Sequence, residues 1–150
     1  MSSEAERSGP LPVVPFLKLP PGAEPYLEGH ACGECEAVFL GARTVCSRCG
    51  ARDRMETRRL ADVGTLHTYS IVHRSFPGIE VPYVSAVVDL EGGGCVKGNL
   101  IGVEPDPEKI ALGMRVQVVY GDALGRKDRD GNAYTSYFFE PRAAADGSAR

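Results

Sequence analysis

Two C-x-x-C pairs, Cys32-Gly33-Glu34-Cys35 and Cys46-Ser47-Arg48-Cys49, constrain this chain more than any other feature. Each pair sets two sulfurs on one tight turn, and ten residues separate the pairs. That length suits a short hairpin that brings the turns face to face, so that four thiolates surround one Zn2+ tetrahedrally. Gly50 follows the second pair, where a positive φ helps turn the backbone around a metal. Disulfides or a redox dithiol are the alternatives for such cysteines. A redox motif needs only one pair, usually near a βαβ unit, and none is visible here. With sulfur at all four positions the ion has no open site for water or substrate, so its predicted role is structural.

A ribbon of about thirty residues buries little core, and metal binding would supply much of its folding free energy. The 150 residues make one ordinary domain or two very small ones. Net charge is only -3 but uneven: residues 43–59 carry six arginines (Arg43, Arg48, Arg52, Arg54, Arg58, Arg59) against Asp53 and Glu56, a balance of +4. A solvated ribbon surface is the plain reading. A patch for phosphates or for an acidic partner is the sharper one, because guanidinium binds oxyanions bidentately. Met1-Ser2-Ser3-Glu4-Ala5-Glu6-Arg7 lacks the basic-then-apolar pattern of a signal peptide, and no apolar run is long enough to span a bilayer. With thiolate ligands, this predicts a cytoplasmic protein and no membrane partner.

The chain divides into a proline-rich arm (1–25), a zinc ribbon (26–60), an OB-fold (61–142) and a flexible tail (143–150). Prolines at 10, 12, 15, 20, 21 and 25 exclude a regular helix from the arm. Its apolar residues Val13, Val14, Phe16, Leu17 and Leu19 are too many for a spacer, and an arm lying along a partner surface would account for them. Strands are predicted over 64–73, 83–90, 95–101, 114–120 and 133–140. Val84, Ala86, Val88 and Leu90 share one face of the second, and Met114, Val116, Val118 and Tyr120 point inward from the fourth. Residues 106–113 carry an N-cap, a proline at N1 and a terminal glycine, which predicts a helix of one or two turns. Residues 121–132 read as a polar loop. Five short strands with a small helix between the third and fourth suit a small closed barrel, so the predicted class is mostly β: a rubredoxin-like zinc ribbon followed by a five-stranded OB-fold.

Residues 26–142 resemble a family of small zinc-ribbon plus OB-fold accessory subunits of thiolase-like acyl-CoA enzymes. The resemblance rests on Tyr26-Leu27-Glu28-Gly29-His30-Ala31-Cys32, Gly64-Thr65-Leu66-His67-Thr68-Tyr69-Ser70, His73-Arg74-Ser75-Phe76-Pro77-Gly78, Val81-Pro82-Tyr83-Val84, Gly98-Asn99-Leu100 and Tyr137-Phe138-Phe139-Glu140-Pro141, in that order and spacing. It implies a non-catalytic subunit that joins a thiolase, a lipid-transfer-type thiolase or aldolase, a hydroxymethylglutaryl-CoA synthase or a related acyltransferase. Such a subunit shapes the acyl-CoA site within a hetero-oligomer such as a heterotetramer. The small subunit of benzoylsuccinyl-CoA thiolase is of this type. The proline-rich arm departs from the helical N-terminus that many relatives carry.

The residues themselves point to no catalysis. A thiolase needs a cysteine nucleophile, a base and an oxyanion hole. Four cysteines are committed to the metal, leaving Cys95, which reads as a small semi-buried strand residue or, less simply, as a nucleophile. His30 reads as a surface residue outside a complete set of cysteine ligands. His67 and His73 lie six residues apart, roughly 20 Å along an extended strand, and cannot share an ion. Two loops could meet a substrate or partner. One carries His73, Arg74 and Phe76, with Phe76 beside Pro77 either a wedge or a barrel cap. The other carries Arg126 and Lys127, either a solvated turn or a contact for CoA phosphates. Two alternatives stand beside an acyl-CoA accessory subunit: a single-stranded nucleic-acid-binding module, and a free-standing acyl-CoA-binding protein. An acidic chain with most aromatics inside strands argues against the first.

Overall fold

The computed structural model describes residues 10–142, which form an all-β chain with no helix among them. Ten strands follow in order: β1 (Leu11–Pro12), β2 (Leu17–Lys18), β3 (Tyr26–Cys32), β4 (Val38–Phe39), β5 (Met55–Arg59), β6 (Val63–Val72), β7 (Tyr83–Leu90), β8 (Cys95–Leu100), β9 (Arg115–Lys127) and β10 (Ala133–Pro141). The barrel closes through β6-β7-β8-β10-β9 and back to β6, with a parallel β8–β10 contact and antiparallel pairs elsewhere. This is the five-stranded connectivity of an OB-fold.

Side-chain alternation explains the core. Val84, Ala86, Val88 and Leu90 of β7 face inward with Leu66, Val96, Leu100, Val116 and Phe139, and all are buried. Tyr137 sits beside Phe139 at 6.0 Å between ring centres, and its hydroxyl donates to the Lys97 carbonyl. Gly98 lies opposite this pair. A Cβ there would stand 2.8 Å from Tyr137 and 2.9 Å from Phe139.

Three expectations change. The stretch 106–113 is a pair of turns, not a helix. Asp106 does act as a cap, accepting from Glu108 N through its side chain (2.9 Å) and from Lys109 N through its carbonyl (2.8 Å). One hydrogen-bonded turn does not repay helix nucleation, and of its apolar residues only Ile110 is buried while Leu112 is exposed. The fourth strand does not end at Tyr120: β9 runs on to Lys127 because β10 continues to pair with it through Ala133. The register slips between Ala133 and Thr135, and the extra residues of β9 include Leu124 at φ 57.

The third change concerns the arm. Val13, Val14, Phe16 and Leu17 have places in this chain's own fold. β1 pairs in parallel with β10, β2 pairs with β3, and Val13 N donates to the Thr135 carbonyl at 3.0 Å. Leu17 is 1% exposed within the core cluster, Val13, Val14 and Leu19 pack against it, and the Phe16 ring sits 5.7 Å from that of Tyr137. Alternation within the barrel strands cannot reveal this, because the core is completed from outside the barrel.

The small sheet β2-β3-β4, with β5 on the other side of β3, carries the cysteine turns and rests on the barrel through the Gly92-Gly93-Gly94 turn between β7 and β8. A Cβ on Gly93 (φ 122) would lie 2.6 Å from Val38 Cγ2, and one on Gly94 would touch Leu60. Gly93→Ala is therefore expected to cost about 2 kcal/mol or more, from a clash added to backbone strain. Gly92→Ala, with nothing within 4 Å, bears the strain alone, about 1 kcal/mol. Equal losses in urea denaturation would show that the turn does not dock the ribbon.

Candidate metal centre and barrel cleft

The four cysteines converge. Cys32 Sγ lies 3.7 Å from Cys49 Sγ, Cys35 Sγ lies 3.6 Å from Cys46 Sγ, and all four sulfurs fall within 4.8 Å of one another. Sulfurs at about 2.3 Å from a tetrahedral zinc stand about 3.8 Å apart; the two pairs at 3.7 and 3.6 Å match that spacing, and the four-sulfur set fits the ion. Two near-equivalent turns build it. In the first, Cys32 N donates to the Ala37 carbonyl and Glu36 N to the Cys32 carbonyl; in the second, Cys46 N donates to the Ala51 carbonyl and Gly50 N to the Cys46 carbonyl. The fourth residue after each leading cysteine has positive φ: Glu36 at 68° and Gly50 at 82°.

Backbone amides also aim at the leading sulfurs. Glu34 N lies 3.3 Å from Cys32 Sγ, Arg48 N lies 3.3 Å from Cys46 Sγ, and Cys49 N lies 3.5 Å from Cys46 Sγ. Led by the Cys49 amide, they pull the Cys46 thiol down to about 6, and the Cys35 and Glu34 amides lower Cys32. These amides favour the charged form of both sulfurs, whereas at Cys49 the Ala51 amide is outweighed by desolvation and the neighbouring sulfurs, which push the thiol up to about 12. His30 is half-buried, pairs with Phe39 and Thr57 in the sheet, and stands outside the donor set.

Cys95 is exposed rather than semi-buried. It lies at the start of β8 opposite Asp89, whose other neighbour is His67, with Nδ1 3.1 Å from Asp89 Oδ2. Desolvation and the Asp89 charge raise the Cys95 thiol. Asp89 thus lies beside both the histidine and the cysteine, and its negative charge opposes ionisation of the thiol. A nucleophile requires the opposite arrangement.

At one end of the barrel lies an apolar cleft of about 650 Å3. Val13 and Val14 of the arm line it together with Ile79–Pro82, Leu100, Ile101, Val103, Ala123 and Tyr137, and Leu124 stands at its lip. Leu124 is 67% exposed, and Ile101 and Val81 are about two-fifths exposed. Phe76 rises from the same loop. Ile79 N donates to the Phe76 carbonyl at 3.1 Å across Pro77-Gly78, and the ring at the head of this turn is 78% exposed. Phe76 is therefore no barrel cap. His73 and Arg74 are exposed at the start of this loop and Lys127 at the end of β9, all outside the cleft lining; the Arg126 side chain lies outside the described part of the structure. The arm, Val81, Ile101 and Leu124 were not singled out from the sequence as cleft residues. The Ala123-Leu124 pair inside an otherwise polar stretch is the signal that could have found the lip.

The barrel and its surroundings are shared with known proteins. Residues 57–121 match the family model described as the ChsH2 C-terminal OB-fold domain. A DUF35 domain-containing scaffold protein of Methanocaldococcus jannaschii is 31% identical over 118 residues, which cover 77% of this chain and 81% of that one. A probable enoyl-CoA hydratase alpha subunit of Thermomonospora curvata is 35% identical over 86 residues, but these are 57% of this chain and only 26% of that protein. Among solved structures, a chain of the Ltp2-ChsH2(DUF35) aldolase superposes with a TM-score of 0.60 at 29% identity, covering 77% of this chain and 84% of that one.

Proposed function

Because the chain belongs to the DUF35 domain-containing scaffold protein family, we propose that it is a non-catalytic subunit of a thiolase-type acyl-CoA enzyme. Its ribbon holds one structural zinc, and its barrel end approaches the acyl-CoA entrance of the catalytic chain. The observation that carries this reading is the apolar cleft with the Phe76 turn beside it. A cavity of this size is in the range that binds small molecules, and its exposed rim is of the kind that contacts proteins. Support also comes from the likeness to a chain of an aldolase complex. Cys95 offers no activated sulfur, so the nucleophile, base and oxyanion donors are assigned to the partner.

The zinc fixes the two knuckles, and the knuckles fix the hairpin between them. The chain's own residues then present Phe76, Leu124 and the cleft walls to the partner, exclude water from the acyl group and leave the chemistry to the catalytic subunit. A single-strand nucleic-acid module fits less well. The outward positions of β7 and β8, where an OB-fold stacks bases, carry Ser85, Val87, Asp89, Cys95, Lys97 and Asn99, with Tyr83 the one aromatic.

The test is purification of the natural complex and kinetics on its acyl-CoA substrates. The isolated chain is expected to show no thiolytic or condensing activity. Cys95→Ser should leave the complex active within a few-fold. Phe76→Ala should leave it assembled but change KM or kcat. A loss of about a thousandfold in the Cys95 variant, the scale of a missing catalytic group, would overturn the assignment.

A further inference from the structure

The ribbon carries a second surface, at the opposite chemical extreme from the cleft. Of the six arginines between 43 and 59, only Arg54 makes an ion pair among the described residues, with Glu34. Arg43, Arg48 and Arg52 lie on or beside the second cysteine knuckle, all exposed, and the exposed Val45 bridges to Arg52. The Arg43 guanidinium is held 4.0 Å over the Phe39 ring and donates to Ser47 Oγ at 3.2 Å. The nearby carboxylates of Asp53 and Glu56 pair with none of these groups among the described residues, and the segment remains at +4 even when both are counted.

We propose that this knuckle is an electrostatic docking element for an acidic surface of the catalytic partner, with Arg43, Arg48 and Arg52 as its cationic groups. The proposal rests on the accessory-subunit reading and adds which part of the chain makes the first contact. Charge complementarity is its basis: unpaired guanidinium groups on a chain of net charge -3 are attracted to a negative patch and steer the encounter. Stacking of Arg43 on Phe39 reduces the side-chain freedom lost on docking. The metal centre behind the knuckle keeps the groups in place. An exposed apolar residue, Val45, paired with Arg52 and close in sequence to Arg43 and Arg48, matches the make-up of a small protein contact, in which arginine is enriched. A polynucleotide is disfavoured because Phe39, the aromatic ring beside these arginines among the described residues, already carries the Arg43 guanidinium on one face.

The test uses the full chain and the catalytic subunit isolated with it, immobilised for association kinetics at about 50 and 300 mM salt, spanning Debye lengths from over 10 Å to below 8 Å. The triple variant R43Q/R48Q/R52Q is expected to associate about tenfold more slowly at low salt and to lose most of its salt dependence, with zinc content unchanged. R48Q/R52Q keeps the Arg43–Phe39 stack and should show an intermediate loss, so the result does not depend on the triple variant folding. Association of both variants at the wild-type rate and salt slope, in a complex that still forms, overturns the docking element but not the accessory role. Absence of any association by the wild-type chain overturns both. A fluorescent dT20 strand is the comparison probe: micromolar binding that the triple variant loses would reassign the patch to nucleic acid.

Discussion

Cys46→Ala is expected to abolish the ribbon as a folded unit. Cys46 is buried at 1% exposure, faces Cys35 at 3.6 Å, and accepts the Arg48 and Cys49 amides. Its loss leaves three sulfurs and a hydrated site. In small zinc modules the metal contributes on the order of 10 kcal/mol to folding. The ribbon has only the short strands β2, β3, β4 and β5 and few buried residues of its own to set against that loss. Freshly purified wild-type chain should hold about one equivalent of zinc, and the variant well under half. Chelator should reproduce the effect on the wild type, exposing the 33–54 segment to protease while the barrel persists. Metal analysis finding less than half an equivalent in wild-type protein never exposed to chelator would remove the metal centre.

Removal of the arm is expected to destabilise the whole chain, not merely to loosen an association. Leu17→Ala alone should cost about 3 kcal/mol, since a fully buried leucine is replaced by a cavity. That loss corresponds to a shift of about 1–2 M in the urea midpoint. Deleting residues 1–19 also removes the β1–β10 and β2–β3 pairings, the Phe16–Tyr137 contact and part of the cleft lining. It should cost more than the point variant. A truncated chain with an unchanged urea midpoint would return the arm to the role of a leader that waits for a partner surface.

The sequence by itself determined the features that are local. Cysteine spacing dictates the knuckles because two sulfurs three residues apart need only one turn to face one ion. Period-two alternation located β7 from Tyr83 to Leu90 to the residue, because a sheet with one buried face must repeat every second side chain. The resemblance to acyl-CoA accessory subunits is likewise readable in the order of short motifs, and the match to the ChsH2 OB-fold domain agrees with it.

Only the tertiary structure decided matters that depend on residues far apart in the chain. Leu17 and Phe16 look surplus because their partners, Leu27 and Tyr137, lie ten and more than a hundred residues away. Asp106 to Gly113 has the signals of a helix, but capping cannot stabilise a turn that has one buried apolar residue to offer. Leu124 sits in a stretch that reads as loop, and pairing with β10 makes it a strand residue at positive φ on the lip of the cleft. Gly93 reads as an ordinary hairpin glycine until Val38, fifty-five positions earlier, is seen 2.6 Å from where its Cβ would be. Local propensity and spacing are properties of a few neighbouring residues, whereas a cleft and a docked ribbon exist only once distant segments have excluded water between them.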